Sequence, residues 1–275
     1  MQRIEMELKA IKASIDKWNN REVLTSCLGV IDLTSLNSTD TASKIELMID
    51  KVNNFTSNFE EYPSVAAICV YPNFASTVKK RLLNKSIQIA VVGGVFPSSQ
   101  SFLSVKVDEC KIAVAQGADE VDIVLSLSHF IAGEFEEAAK EIREIKKAIG
   151  EVHLKVILET GALSPEEIEK ASMLAMEAGA DFIKTSTGKM EPAATPEAAL
   201  IMCKAIKEYH SKTGRKVGFK PAGGIVTPED AILYYAIVDT ILGKEWLNPK
   251  YFRLGASRLA NNLLTNLENK TVNYF

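Results

Sequence analysis

Two lysines stand inside runs that otherwise read as buried strand. Lys184 sits in Phe182-Ile183-Lys184-Thr185-Ser186-Thr187-Gly188-Lys189, and Lys220 in Val217-Gly218-Phe219-Lys220-Pro221-Ala222-Gly223-Gly224. A lone lysine of this kind usually reaches solvent or a carboxylate, because a buried ammonium without a partner is costly. A second lysine near the end of the next strand argues against that bland reading. Two inward ammonium groups repel, so packing alone gives little reason for the pair. Chemistry gives one. A lysine amine attacks a carbonyl only when neutral, and at an ordinary pKa of ~10.4 about one in 2,500 is neutral at pH 7. Lowering that to ~7 takes roughly 4.6 kcal/mol. An ammonium ~5 Å away supplies on the order of 3 kcal/mol at an effective dielectric of ~20. Desolvation acts in the same direction. The pair therefore predicts Lys184 as an imine-forming nucleophile activated by Lys220.

Imine chemistry also needs a group that moves protons. Gly117-Ala118-Asp119 and Gly179-Ala180-Asp181 form an internal echo, and three residues after each Asp comes a polar residue, Asp122 in one case and Lys184 in the other. Matched offsets predict matched registers. In a barrel, alternate strands fill one interior layer, so Asp122 and Lys184 are expected to meet as shuttle and nucleophile. The alternatives for Asp122 are an N-cap or a salt bridge to a lysine.

Glycine clusters close the run of candidate chemistry. Gly188-Lys189, Gly223-Gly224 and Gly255-Ala256-Ser257 fall at three consecutive strand ends. Glycine lets backbone N–H groups approach phosphate oxygens, and barrels commonly bind phosphate after their last strands. Other candidates look structural. His129, His153 and His210 form no metal or triad spacing, Cys69 is expected to pack, and Glu159-Thr160 ends a strand near the mouth.

The elements that must position these residues alternate regularly. Strands are predicted at 28–32, 65–70, 87–92, 120–125, 153–159, 182–185, 217–220 and 252–255, with helices at 41–55, 102–116, 135–149, 165–178, 196–209 and 228–237. Ser164-Pro165-Glu166, Thr195-Pro196-Glu197 and Thr227-Pro228-Glu229 each give an N-cap, a proline at the first helical position and an acid on the helix dipole. Ser164 and Glu167 have capping-box spacing. Eight strands alternating with helices predict one α/β domain over 1–275, a (β/α)8 TIM barrel, with an added N-terminal helix over 1–20 and a mobile tail over 266–275. An open doubly wound sheet would show a glycine-rich turn after its first strand, and Asp32-Leu33-Thr34-Ser35-Leu36 does not.

Composition bounds the partners. The chain is 47% hydrophobic and 24% charged with a net charge of −3, so neither nucleic acid nor membrane is an expected partner. Cys27, Cys69, Cys110 and Cys203 are scattered, as in a reduced cytoplasmic protein rather than a disulfide frame or zinc site. The acidic, polar N-terminus does not read as a secretory signal. A homodimer is an option without an interface signature.

The motifs resemble the deoxyribose-phosphate aldolases. The likeness runs from about residue 25 to 265 through Ile31-Asp32-Leu33-Thr34, Ala67-Ile68-Cys69-Val70-Tyr71-Pro72, Gly117 to Asp122, Lys155 to Thr160, Phe252 to Ser257 and the two lysine motifs. This resemblance implies a barrel that reversibly cleaves 2-deoxy-D-ribose 5-phosphate to acetaldehyde and D-glyceraldehyde 3-phosphate, without metal or organic cofactor. It implies Lys184 as the Schiff-base lysine, with Asp122 and Lys220 as proton donor/acceptors. A tyrosine on the family's mobile tail would correspond to Tyr274, one position early. Phosphate contacts are expected from Gly188, Lys189, Gly223, Gly224, Gly255, Ser257 and Arg258, with Asp32, Thr34, Cys69 and Thr187 elsewhere in the pocket.

Three departures stand out. Val226 occupies a position after Gly-Gly where many relatives carry arginine. Arg258 follows Gly-Ala-Ser where a small polar residue is common, and is expected to restore that charge. Val92-Gly93-Gly94-Val95-Phe96-Pro97-Ser98 departs from an Asn-Phe-Pro pattern, which bears on aldehyde preference. A transaldolase-like lysine enzyme and a silent sugar-phosphate-binding barrel remain as competing readings.

Overall fold

A computed structural model describes residues 2–275. Eight short parallel strands carry the architecture: β1 (Ile31–Thr34), β2 (Ala67–Val70), β3 (Gln88–Val92), β4 (Glu120–Val124), β5 (His153–Ile157), β6 (Phe182–Lys184), β7 (Gly218–Lys220) and β8 (Leu254–Ala256). They pair in sequence from β1 to β7, and β8 pairs with β1. The seam between β7 and β8 closes through parallel bridges at Phe219 with Phe252 and Ala222 with Gly255. The result is the (β/α)8 barrel that the alternating pattern predicted.

A helix returns the chain after each strand, and its start is written locally. Ser164 and Glu167 form the expected capping box ahead of Pro165–Glu177. Thr195 accepts from the N–H of Ala198, and Thr227 builds a second capping box with Asp230. Gly117 and Gly179 end their helices at φ 105° and 108°, a region closed to most side chains.

The N-terminal expectation needs correction. The helix expected over 1–20 spans Gln2–Ala13 and is followed by a 3-10 turn, Ile15–Lys17, and a further helix, Arg21–Gly29, that was not expected intervenes before β1. Asn20 caps the second helix by accepting from the Val23 N–H. Leu28 lies in the last turn of that helix rather than opening β1. Its apolar neighbours Val23, Leu24 and Cys27 recur at helical spacing and are all buried.

Most apolar burial lies between the strands and their surrounding helices. The barrel interior is different. On β2 and β3 it holds Ala67, Cys69 and Ala90, with Val92 on the same face of β3. The remaining strands send in Asp32, Glu120, Asp122, Lys155, Lys184, Lys220 and Arg253, all nearly or fully buried. Two glycines make this possible. A Cβ on Gly218 would stand 2.3 Å from the Phe182 ring, and one on Gly255 would stand 3.2 Å from the Lys220 stem.

Candidate active site

The seven interior charges form one connected cluster. Register sets Lys184 opposite Lys220 and Asp122 opposite Lys155. Asp122 Oδ2 accepts from both Lys184 Nζ and Lys220 Nζ, each at 2.8 Å, and its Oδ1 accepts from Lys155 Nζ at 3.0 Å. Lys155 also reaches Glu120 at 2.5 Å. Arg253 joins Asp32 at 2.7 Å to Glu120 at 2.8 Å. Lys220 Nζ lies 2.5 Å from Asp32 Oδ2, a charge contact out of line for a hydrogen bond.

Burial and charge compete at each member. Burial pushes the Asp122 carboxyl up, but the ammonium groups of Lys155, Lys184 and Lys220 outweigh it and hold the group well below the usual carboxylate range. Burial pulls Lys220 down, yet Asp122 and Asp32 hold it above the ordinary lysine range. The same balance raises Lys155. Sequence reasoning assigned Lys220 the task of activating Lys184 by bare repulsion. The structure interposes the Asp122 carboxylate between the two lysines and so offsets that repulsion.

A cavity of about 200 Å³ opens above the cluster at the C-terminal strand ends. Lys184 is the one interior cation that lines it. Around it stand Thr34, Thr187, Gly188, Lys189, Gly223, Gly224, Gly255, Ser257 and Arg258, all expected from the sequence, with Val226 beside them. Gly188, Gly223 and Gly224 have φ of 73°, 87° and 78°, which turns their loops toward the cavity. Among the described residues, their N–H groups have no acceptor within the chain. Gly223 must be glycine for a second reason: a Cβ would lie 2.6 Å from the Ala193 methyl.

Three expected residues fall elsewhere. Asp32 is fully buried beneath Lys220 and does not line the cavity. Cys69 packs with Ala67 and Ala90 inside the barrel. Tyr274 lies at the opposite end. The last helix, Leu259–Glu268, runs away from the mouth, and the tail after it folds back along that helix, Val272 on Thr265 and Tyr274 on Asn261. There Tyr274 packs on Phe55 and Phe59, and its hydroxyl donates to the Lys51 carbonyl at 2.7 Å. Asn261 accepts from the N–H groups of Tyr274 and Phe275, which fastens the tail.

Sequence reasoning missed Glu120, Lys155 and Arg253. A signal existed. Glu120 and Asp122 are two apart on one strand and must share a face. Two carboxylates on the interior side then require countercharges.

Fold and site together define a (β/α)8-barrel enzyme with a lysine amine at the foot of its mouth. Residues 27–242 match the profile of the DeoC/LacD family aldolases. The chain belongs to this family and is an aldolase, a lyase. A relative from Caenorhabditis elegans is 42% identical over 97% of this chain and 88% of its own. The deoxyribose-phosphate aldolase of Homo sapiens is 40% identical over 87% of this chain and 79% of its own. Among solved structures, the aldolase QR15 superposes with a TM-score of 0.71 at 29% identity, over 88% of this chain and 96% of its own. The deoxyribose phosphate aldolase of Aeropyrum pernix, at 22% identity and a TM-score of 0.70 over 93% of this chain and 96% of its own, shares the fold.

Proposed function

We propose that this aldolase cleaves 2-deoxy-D-ribose 5-phosphate to acetaldehyde and D-glyceraldehyde 3-phosphate through an imine on Lys184. The observation that carries this reading is the position of Lys184 Nζ. It faces the glycine-walled cavity on one side and Asp122 on the other. The human and bovine relatives, both 40% identical, bear this activity in their names.

The chemistry follows from the contacts. Four cations and three carboxylates make up the cluster, so its charges balance when Lys184 is the neutral amine. The amine adds to the sugar's aldehyde carbon, and loss of water leaves an iminium. A base removes the C3 hydroxyl proton, the C2–C3 bond breaks, and its electron pair neutralises the iminium as an enamine. Glyceraldehyde phosphate leaves with its new carbonyl. The enamine carbon then gains a proton, and water releases acetaldehyde. Asp122, touching both Nζ atoms through one oxygen, is the proton carrier, and Lys220 keeps a positive charge beside it.

Phosphate binding belongs to the glycine loops, with Lys189 and Arg258 supplying charge. Val226 and Arg258 line the same cavity, which supports Arg258 as the replacement for a missing arginine. Arg258→Ser is then expected to raise KM for the phosphorylated sugar about tenfold, the loss of one charged hydrogen bond. An unchanged KM in steady-state assays rejects that role. Four separate buried thiols fit a reducing compartment such as the cytoplasm. A homodimer would use exposed apolar side chains such as Phe102 and Ile112, and light scattering distinguishes it from a monomer.

The decisive test is borohydride reduction with acetaldehyde, followed by peptide mass spectrometry. An adduct on Lys184, absent in Lys184→Met, is the expected result. Trapping at Lys220 alone overturns the assignment, and no trapping anywhere indicates a silent barrel. A coupled assay of deoxyribose phosphate cleavage separates this reading from a transaldolase-like one.

A further inference from the structure

Glu159 is a buried carboxylate that takes no part in the imine chemistry. It lies two residues past the end of β5 and is 3% exposed. Among the described residues it takes part in no ion pair, although it lies behind the wall of a cavity read as anion-binding. Its backbone is left-handed, at φ 54° and ψ 59°, a conformation a non-glycine residue adopts at a cost. Burial without a cation and local strain both oppose this arrangement, so something must be gained by it.

The gain lies in the loop after β6. One Glu159 oxygen accepts from the Thr187 N–H at 3.1 Å, and the other accepts from the Thr187 hydroxyl at 2.5 Å. Thr187 Oγ1 in turn accepts from the Lys189 N–H at 3.0 Å. The hydroxyl proton is therefore committed, and Thr187 offers the cavity no donor. Among the described residues the Gly188 N–H, on the cavity wall, has no acceptor within the chain. Gly161 holds the same loop from a second side. A Cβ there would stand 2.0 Å from the Pro192 carbonyl oxygen, so the β5 turn and the β6 loop pack backbone to backbone.

We propose that Glu159 is a positioning residue for substrate specificity: through Thr187 it aims the Gly188–Lys189 segment at the substrate's phosphate. This rests on the phosphate reading of the cavity. Glutamine at 159 keeps the shape but cannot accept from two donors with two oxygens. Its amide would donate to Thr187 Oγ1, so the Thr187 hydroxyl proton would lose its acceptor and the group would have to turn.

The experiment compares kcat/KM for 2-deoxyribose 5-phosphate and for unphosphorylated 2-deoxyribose in wild type, Glu159→Gln, Thr187→Val and the double variant. We expect the wild type to prefer the phosphorylated sugar and Glu159→Gln to reduce that preference about tenfold, the worth of a charged hydrogen bond. The double variant should lose little beyond the larger single loss, because the two residues act as one unit. If the preference persists in Glu159→Gln, or both sugars lose activity in equal proportion, Glu159 does not position the phosphate site. Should Glu159→Gln fail to fold, an intact preference in Thr187→Val rejects the positioning role equally. A wild type with no preference instead overturns the phosphate reading, and this proposal with it.

Discussion

Asp122 is the residue on which the site turns. It is fully buried and meets three ammonium groups, so removing its charge strands cations in the barrel interior. Asp122→Asn is expected to lower kcat about 10²- to 10⁴-fold, the usual scale for a lost proton carrier. It should also destabilise the fold by roughly 3–5 kcal/mol at pH 7, as for a broken buried ion pair. The pH dependence has a definite sign. The folded carboxyl is depressed, so its stabilisation is fully present above the unfolded pKa of ~3.9 and is lost as pH falls below that value. Urea denaturation of wild type and variant should show a constant gap from pH 5 to 8 that narrows in stronger acid. Lys220 behaves oppositely. Its raised folded pKa keeps its contribution intact below ~10.4, with loss only in stronger alkali.

At the scale of elements, short strands deliver side chains and the segments after them decide direction. The C-terminal segment is the clearest case. Sequence likeness suggested a mobile tyrosine serving the mouth, whereas Tyr274 is docked on Phe55, Phe59 and the Lys51 carbonyl at the other end. A helix of ten residues lies between β8 and the tail, and the tail folds back along it and is pinned at Thr265 and Asn261, which leaves the Tyr274 ring on the outer helices. Tyr274→Phe should therefore leave kcat within about twofold, while costing about 1 kcal/mol of stability for the lost hydrogen bond. A kcat loss of tenfold or more would show that the tail leaves its dock during turnover.

For the whole molecule, the unusual feature is a barrel whose interior is charged. Ordinary barrels fill that space with branched apolar layers. Here three carboxylates are shared among four cations, and each carboxylate touches at least two of them. Lys155 lines no cavity beside the substrate, yet Lys155→Met leaves Glu120 and Asp122 each short of a partner. We expect a loss of roughly 3–5 kcal/mol in chemical denaturation. Adding Glu120→Gln should recover part of it, since the two share one charge balance. Full additivity would mean that the cluster does not act as a unit.

How much of this was legible follows from the range of each interaction. The eight strands, the capped helices and the Lys184–Asp122–Lys220 group could be read from the chain. Alternation, caps and register offsets are local signals, and a lysine in an apolar strand is conspicuous wherever it falls. The sequence also pointed to the three glycine loops, because glycine lets backbone N–H groups approach an anion. Other features depend on residues far apart in the chain. Asp122 stands between the lysines, Lys155 and Arg253 complete the charge balance, and Glu159 grips Thr187. Only barrel closure brings Asp32 to Lys220 and Arg253, so the source of each charge's compensation was a tertiary decision. The sequence alone singled out Lys184 as the nucleophile proposed for the imine chemistry. The tertiary structure decided what surrounds it, because electrostatic energy depends on distance through space rather than along the chain.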